Sequence, residues 1–303
     1  MASSLMASCG AAVGAVAGAA AVVYVGCRLL GRLTKAPPEP KLFAAECELK
    51  YDSADRMPAI LGLNVKTIGY LFGAVLLAHT LGFGAMYHFS GWARARWYLS
   101  AVLISLHQVE EYVLSSWALG DDYLFLNWIQ RAGFYIPIRF SIFANQVLPW
   151  VVIGLSLVCY DVPKLQLATL YLHTWLMALQ ANNGAYHCIP AATRTLVFAS
   201  LRLTSVPVPA SADGCWHQMM EFSPGQITGM YVYIPWFVYL SYVLVAEYGT
   251  PLWVPWAMWT AGGLVHFKMI AMGSIKSPNH WQWLVARAGG EIKNPIDLRE
   301  LKS

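Results

Sequence analysis

Apolar residues in this chain come in long runs, and the runs set its architecture. Seven stretches are dominated by Ala, Val, Leu, Ile, Phe and aromatic residues, at 11–30, 68–89, 97–119, 136–160, 165–189, 227–246 and 252–272. A helix of roughly 20 apolar residues crosses a hydrocarbon core about 30 Å thick. The pattern predicts an all-α polytopic membrane helix bundle with about seven transmembrane helices, or six if the first run is not a span. It divides the chain into an N-terminal signal-anchor helix (1–35), a linker (36–66), the transmembrane bundle (67–275) and a cytosolic tail (276–303).

The first run is rich in Ala and Gly. It has no basic residue ahead of it, and Arg28, Arg32 and Lys35 follow it. That order fits a retained anchor better than a cleaved signal or transit peptide. The prolines after Lys35 predict a stiff linker. In the longest interior connection, residues 195–203 predict an amphipathic helix along the membrane surface.

Composition narrows the class. The chain has 303 residues, 57% hydrophobic and 12% charged, against about 25% charged in a soluble domain. The six cysteines show no CxxC pair, which argues against a disulfide framework or a zinc ribbon. A net charge of +4, carried mostly by loops, speaks for membrane orientation and not for nucleic acid. Seven Lys/Arg fall between Arg28 and Lys66, and Arg131, Arg139, Arg194, Arg202 and five tail residues share that side. Only Arg94, Arg96 and Lys164 fall on the other. The positive-inside rule then places the N-terminus on the lumenal or external side and the C-terminus in the cytosol. An endomembrane is expected, the endoplasmic reticulum first, with another organelle membrane as the alternative.

Against this background the third run is anomalous. It carries His107-Gln108-Val109-Glu110-Glu111. One ionised carboxylate at the centre of a membrane helix costs about 2.5–3.5 kcal/mol on insertion scales, and here there are two. Such groups are tolerated when they face the protein interior, share protons or bind a cation. His107 lies three residues before Glu110 and four before Glu111, so all three share one broad helix face. The two glutamates diverge by about 100°, so one is expected to point at a site and the other to pair with a neighbouring helix or stay protonated. Interhelical bonding is the bland alternative, but membrane helices usually meet that need with Ser, Thr, Asn or Gln.

The fifth run supplies a facing surface. His173, Gln180, Asn183 and His187 project at about 0°, −20°, −80° and −40° on a helical wheel, a single polar stripe. His187 reads as functional and His173 as interfacial. Ahead of the sixth run, Pro224-Gly225 reads as a turn, with Thr228 one turn inside to cap a helix or line a site. His79 and His266 read as helix–helix bonding partners, and Asn145 and Gln146 as interhelical glue.

These motifs, His107-x-x-Glu110-Glu111, Asn183-x-x-x-His187 and Phe222-x-Pro224-Gly225 leading to Pro235, resemble the HXXEE-motif family of multipass membrane proteins. The resemblance covers residues 107–235 and keeps the motif order. This chain differs in its N-terminal anchor, in a longer connection after His187, and in Phe222 where tyrosine is more usual. The resemblance implies a membrane enzyme without naming its reaction.

Two kinds of chemistry fit the residues. In the first, His107, Glu111 and His187 hold a zinc or iron ion, leaving the other glutamate as base. In the second no metal is involved, and Glu110, Glu111 and His107 move protons as catalytic acid and base. Either expects a membrane lipid or other lipophilic small molecule as substrate, bound with help from Asn183, Gln180 and Thr228, and processed by hydrolysis or proton transfer. A proton-coupled transporter or a lipid-binding membrane scaffold is the alternative, because carboxylate–histidine chains also relay protons.

Overall fold

The computed structural model describes residues 1–34, 65–120, 123–125, 143–188 and 222–275. The linker at 35–64, the surface helix expected at 195–203 and the tail at 276–303 lie outside the described residues. Among the described residues there are seven α-helices longer than two turns and no strand. They are α1 (Ala2–Thr34), α2 (Val65–Ser90), α3 (Trp92–Val109), α4 (Leu148–Val158), α5 (Pro163–Cys188), α6 (Ile234–Tyr248) and α7 (Trp253–Ile275). Within the described residues, each of the seven apolar runs overlaps one of these helices.

Three helices are widened by π-helical turns. One continues α3 at Glu110–Leu114 and passes into a last α-helical turn, Ser115–Leu119. Another precedes α4 at Phe143–Val147. The third, Gly229–Tyr233, joins a first turn at Gln226–Thr228 to α6. Such bulges recur at functional sites because they re-aim side chains without ending the helix.

Among the described residues, three helices could cross a membrane by length and composition: Ala2–Arg32, Thr67–Ser90 and Gln226–Tyr248. That is fewer than the seven runs predict, and the polar content of α3 and α5 contributes to the difference. Yet the polar residues responsible are turned inward. His107, Gln108, Glu110 and Glu111 on α3 and its π turn are buried, as are His173, Gln180 and His187 on α5. Hydropathy averaged around a helix counts these groups against a span even where the protein, and not lipid, surrounds them.

The helix 92–119 is the central element. One side packs on α1 and α2 through Val102, Leu106, Val109 and Tyr112 against Val23, Cys27, Phe72 and Leu76. The other side meets α4, α5 and α6 through Trp97, Ala101 and Ile104 against Ile153, Leu170, Met177, Leu240 and Leu244. Small residues bring backbones together where the helices cross. A Cβ on Gly184 of α5 would lie 2.6 Å from the α-carbon of Gly229, so the two helices touch at that point. This is the close approach that glycine allows between membrane helices.

Two polar features depart from the sequence expectation. His173, expected at the membrane interface, is fully buried: its Nε2 lies 2.8 Å from Ser100 Oγ and its Nδ1 2.8 Å from Ser156 Oγ. It ties α3, α4 and α5 together, because an α5 residue seven positions short of Gln180 still faces the bundle interior. Gln146, expected to bridge helices, is buried with neither amide nitrogen nor oxygen partnered. His79 does bridge helices, with Nδ1 3.0 Å from Tyr98 Oη.

Candidate metal centre

The centre forms where α3 ends, α5 ends and α6 begins. The π turn of α3 sends its two glutamates to different tasks. Glu110 faces the start of α6: its Oε1 accepts the N–H of Ile227 at 2.9 Å, and its Oε2 accepts the N–H of Thr228 at 2.7 Å and the Thr228 hydroxyl. The first N–H groups of a helix have no partner within it. Here the Gln226 N–H bonds to Ser223 O at 3.0 Å and Glu110 takes the next two, before the Gly229 N–H opens the helical ladder on Gly225 O at 2.9 Å. Glu110 is thus a cap supplied by another helix, with the favourable sign for a helix N-terminus.

Glu111 faces the histidines. Its Oε1 lies 3.3 Å from Nε2 of His107 and 3.2 Å from Nε2 of His187, and its Oε2 accepts the Gln108 amide N–H at 3.0 Å. One ligand atom from each of His107, Glu111 and His187 lies within 4.8 Å of the others, and all three side chains are buried. This group could hold a metal ion.

Hydrogen bonds fix how the imidazoles are presented. Nδ1 of His107 is 2.6 Å from Thr228 Oγ1, and the Thr228 hydroxyl proton is committed to the acceptor-only carboxylate of Glu110. The Thr228 oxygen therefore accepts from His107 Nδ1–H, and Nε2 keeps its lone pair when the ring is neutral. His187 repeats the device: Nδ1 is 2.9 Å from Ser223 Oγ, whose proton has the Pro224 carbonyl 3.4 Å away as its outlet. When both rings are neutral, two imidazole lone pairs and a carboxylate oxygen converge, an arrangement relieved by a proton or a metal ion between them. Histidines that ligate metals are held by their second nitrogen in this way.

The walls are tight. Gly225 has φ +89°, and a Cβ there would meet His107 Cε1 at 2.7 Å, Glu111 Cγ at 3.1 Å and His187 Cε1 at 3.2 Å. Tyr233 stands beside His107 with ring centroids 4.5 Å apart, and Phe125 lies 5.5 Å from His187. Asn183 reaches the rim, its Nδ2 3.4 Å from His107 Nε2.

Of the residues the sequence singles out, the structure joins His107, Glu111 and His187, sets Thr228 and Asn183 against His107, and places Glu110 on the flank. Gln180 is buried on the same helix face, with its carbonyl oxygen unpartnered. His266 stacks on Tyr186 at 4.9 Å and is not one of the three ligand residues. Ser223, Gly225, Gln108 and Tyr233 belong to the site without being marked for it by the sequence. Ser223 and Gly225 lie inside a motif that reads locally as a turn, and Gln108 inside one read for its charges. Tyr233 has no local signal at all.

Fold and site together define an all-helical protein with a buried His–Glu–His group and three helices apolar enough to cross a membrane. No family model, curated protein or solved structure matches the chain. The likeness to the HXXEE family rests on its three sequence motifs alone.

Proposed function

We propose that this chain is an integral membrane enzyme with seven transmembrane helices, acting on a lipid-like substrate by hydrolysis or proton transfer. His107, Glu111 and His187 would hold a zinc or iron ion at its centre. The observation that carries this reading is the convergence of the two Nε2 atoms on Glu111 Oε1, each ring held from behind by a hydroxyl. Support for the membrane comes from the outer faces, where Leu77, Leu81, Val151, Leu155, Val238 and Tyr242 are exposed while the charged pair Glu110 and Glu111 is buried. An endomembrane location with a lumenal N-terminus and cytosolic C-terminus follows from the distribution of Lys and Arg.

A bound metal of this kind supplies Lewis acidity and an activated water at neutral pH. The protein's own groups do the rest. Thr228 and Ser223 hold the imidazole tautomers. Asn183 presents an amide N–H at the rim, where it can donate to a substrate oxygen. Gly225 brings backbone against the ligands, and Tyr233 and Phe125 shield them from water, which strengthens every electrostatic interaction inside. Glu110 has both oxygens engaged with α6, so its part is to position Thr228 and the helix start; His107 and His187 have both ring nitrogens in use, so the acid–base work falls to Glu111.

The test is product analysis by mass spectrometry with detergent-purified protein and a panel of lipid esters, epoxides and isomerisable lipids. Turnover that a chelator abolishes, and that Glu111→Gln lowers at least about 100-fold, is the expected result. Turnover unaffected by Glu111→Gln would overturn the assignment.

A further inference from the structure

Beneath the centre lies a second set of polar groups that the proposed chemistry does not use. Gln108 Oε1, Gln180 Oε1 and Tyr233 Oη are buried and have no hydrogen-bond partner among the described residues. Native interiors seldom leave such atoms unpaired, and each one calls for an explanation. Three on residues that flank the centre call for a common one: Gln108 bonds Glu111, Tyr233 packs on His107, and Gln180 lies one turn before Gly184 on α5.

Their placement follows from contacts already described. Gly184 and Gly229 touch where α5 and the start of α6 cross. The two helices run antiparallel, as the hydrogen bond from Tyr171 near the start of α5 to Thr250 just past the end of α6 shows. Gln180, four residues before Gly184, and Tyr233, four after Gly229, therefore come to the same depth, about 6 Å further into the bundle. Tyr233 packs on the His107 ring there. Gln108 reaches the region from α3, tied by its nitrogen to Glu111 Oε2. Since that carboxylate can only accept, the amide orientation is fixed and the carbonyl is the free end. Gln146, orphaned at both ends of its amide, projects from the π turn that begins the α4 segment.

We infer that Gln108, Gln180 and Tyr233 form a subsite for the uncharged polar end of a lipid, one bearing a hydroxyl, ester or amide group. Two carbonyl oxygens can accept from the ligand's O–H or N–H, and the Tyr233 hydroxyl can donate to its oxygen. The lining described offers no cation for a phosphate: Arg94 is paired with Asp161 and Arg96 with Glu247, both on the opening turns of α3, away from the centre. This deepens the proposed function by naming the class of its substrate, and rests on it for what happens to the bound lipid. Binding itself does not require that chemistry.

The experiment uses the full chain purified in detergent. The probes are a monoacylglycerol, the lysophosphatidic acid with the same acyl chain, and the alkane of matching length. Binding is read by titration and by the shift in thermal unfolding, with metal content measured on the same samples. The monoacylglycerol should bind at least about tenfold more tightly than the other two, and Gln180→Leu and Tyr233→Phe should each erase at least about tenfold of that affinity while metal content stays at the wild-type level. Gln180→Leu should also raise the melting temperature of the ligand-free protein, because it removes an unpaired buried carbonyl. The inference is overturned if both variants bind as wild type does, if the alkane or the phosphate lipid binds as well as the monoacylglycerol, or if Gln180→Leu melts earlier without ligand, which would make the amide structural. Headgroup-dependent binding in a protein that takes up no metal would support the subsite and overturn only the metal-dependent reading of the centre.

Discussion

Glu110 takes both the backbone N–H and the hydroxyl of Thr228 on one carboxylate oxygen, so a residue of the third helix caps the start of the sixth. The neighbouring residue in the chain, Glu111, does something different, and substitution should separate the two. Glu110→Ala strands the N–H groups of Ile227 and Thr228, at a cost of about 1–3 kcal/mol for each buried group left unpaired. Thermal unfolding in detergent should fall by several degrees. Glu111→Gln should leave the melting temperature within a few degrees of wild type and remove the metal. Equal destabilisation by both would contradict the division of roles.

Gly225 provides a sharper local test. Its φ of +89°, and the 2.7 Å at which a Cβ there would meet His107, both oppose any side chain. Gly225→Ala costs about 1 kcal/mol or more in backbone strain and must push His107 or His187 aside. Metal content should drop while the helical circular dichroism of the folded protein is kept. Retention of full metal content would show that the turn does not bear on the ligands.

At the α5–α6 crossing, Gly184→Ala must separate two backbones in contact. A loss of about 1–3 kcal/mol is expected from overpacking. Because Gly184 lies close before His187 on the same helix, metal affinity should weaken as well. An unchanged melting temperature would mean that the helices can part without cost.

His173 serves as the control histidine. It bonds Ser100 and Ser156 and lies on the opposite half of α5 from His187. His173→Leu should lower stability by about 1–3 kcal/mol, since it leaves two buried hydroxyls short of a partner, and should leave metal content unchanged. Loss of metal in this variant would place the site elsewhere.

The seven helices are legible in the sequence because each carries a continuous apolar run, a signal that survives averaging along the chain. Part of the site is legible for a different reason: His107 with Glu111, and Asn183 with His187, sit one turn apart, and helical spacing alone puts each pair on one face. The expectation that the two glutamates diverge matches their observed partners. Ser223, Gly225 and Tyr233 cannot be placed this way. They reach the ligands from far along the chain, 36 residues from His187 to Ser223 and 126 from His107 to Tyr233, and that register depends on how helices pack. The π turns add a half-step of rotation that no apolar period announces. The interfacial reading of His173 fails for the same reason, since its partners come from two other helices.

The central claim is that the His107–Glu111–His187 group binds a metal. Elemental analysis of the detergent-purified protein, with wild type compared to His187→Ala and Glu111→Gln, tests it most directly. The account predicts about one zinc or iron per chain in wild type and loss of that metal in both variants, with all three proteins folded. A wild-type protein that holds no metal even after incubation with zinc and iron(II) would contradict it.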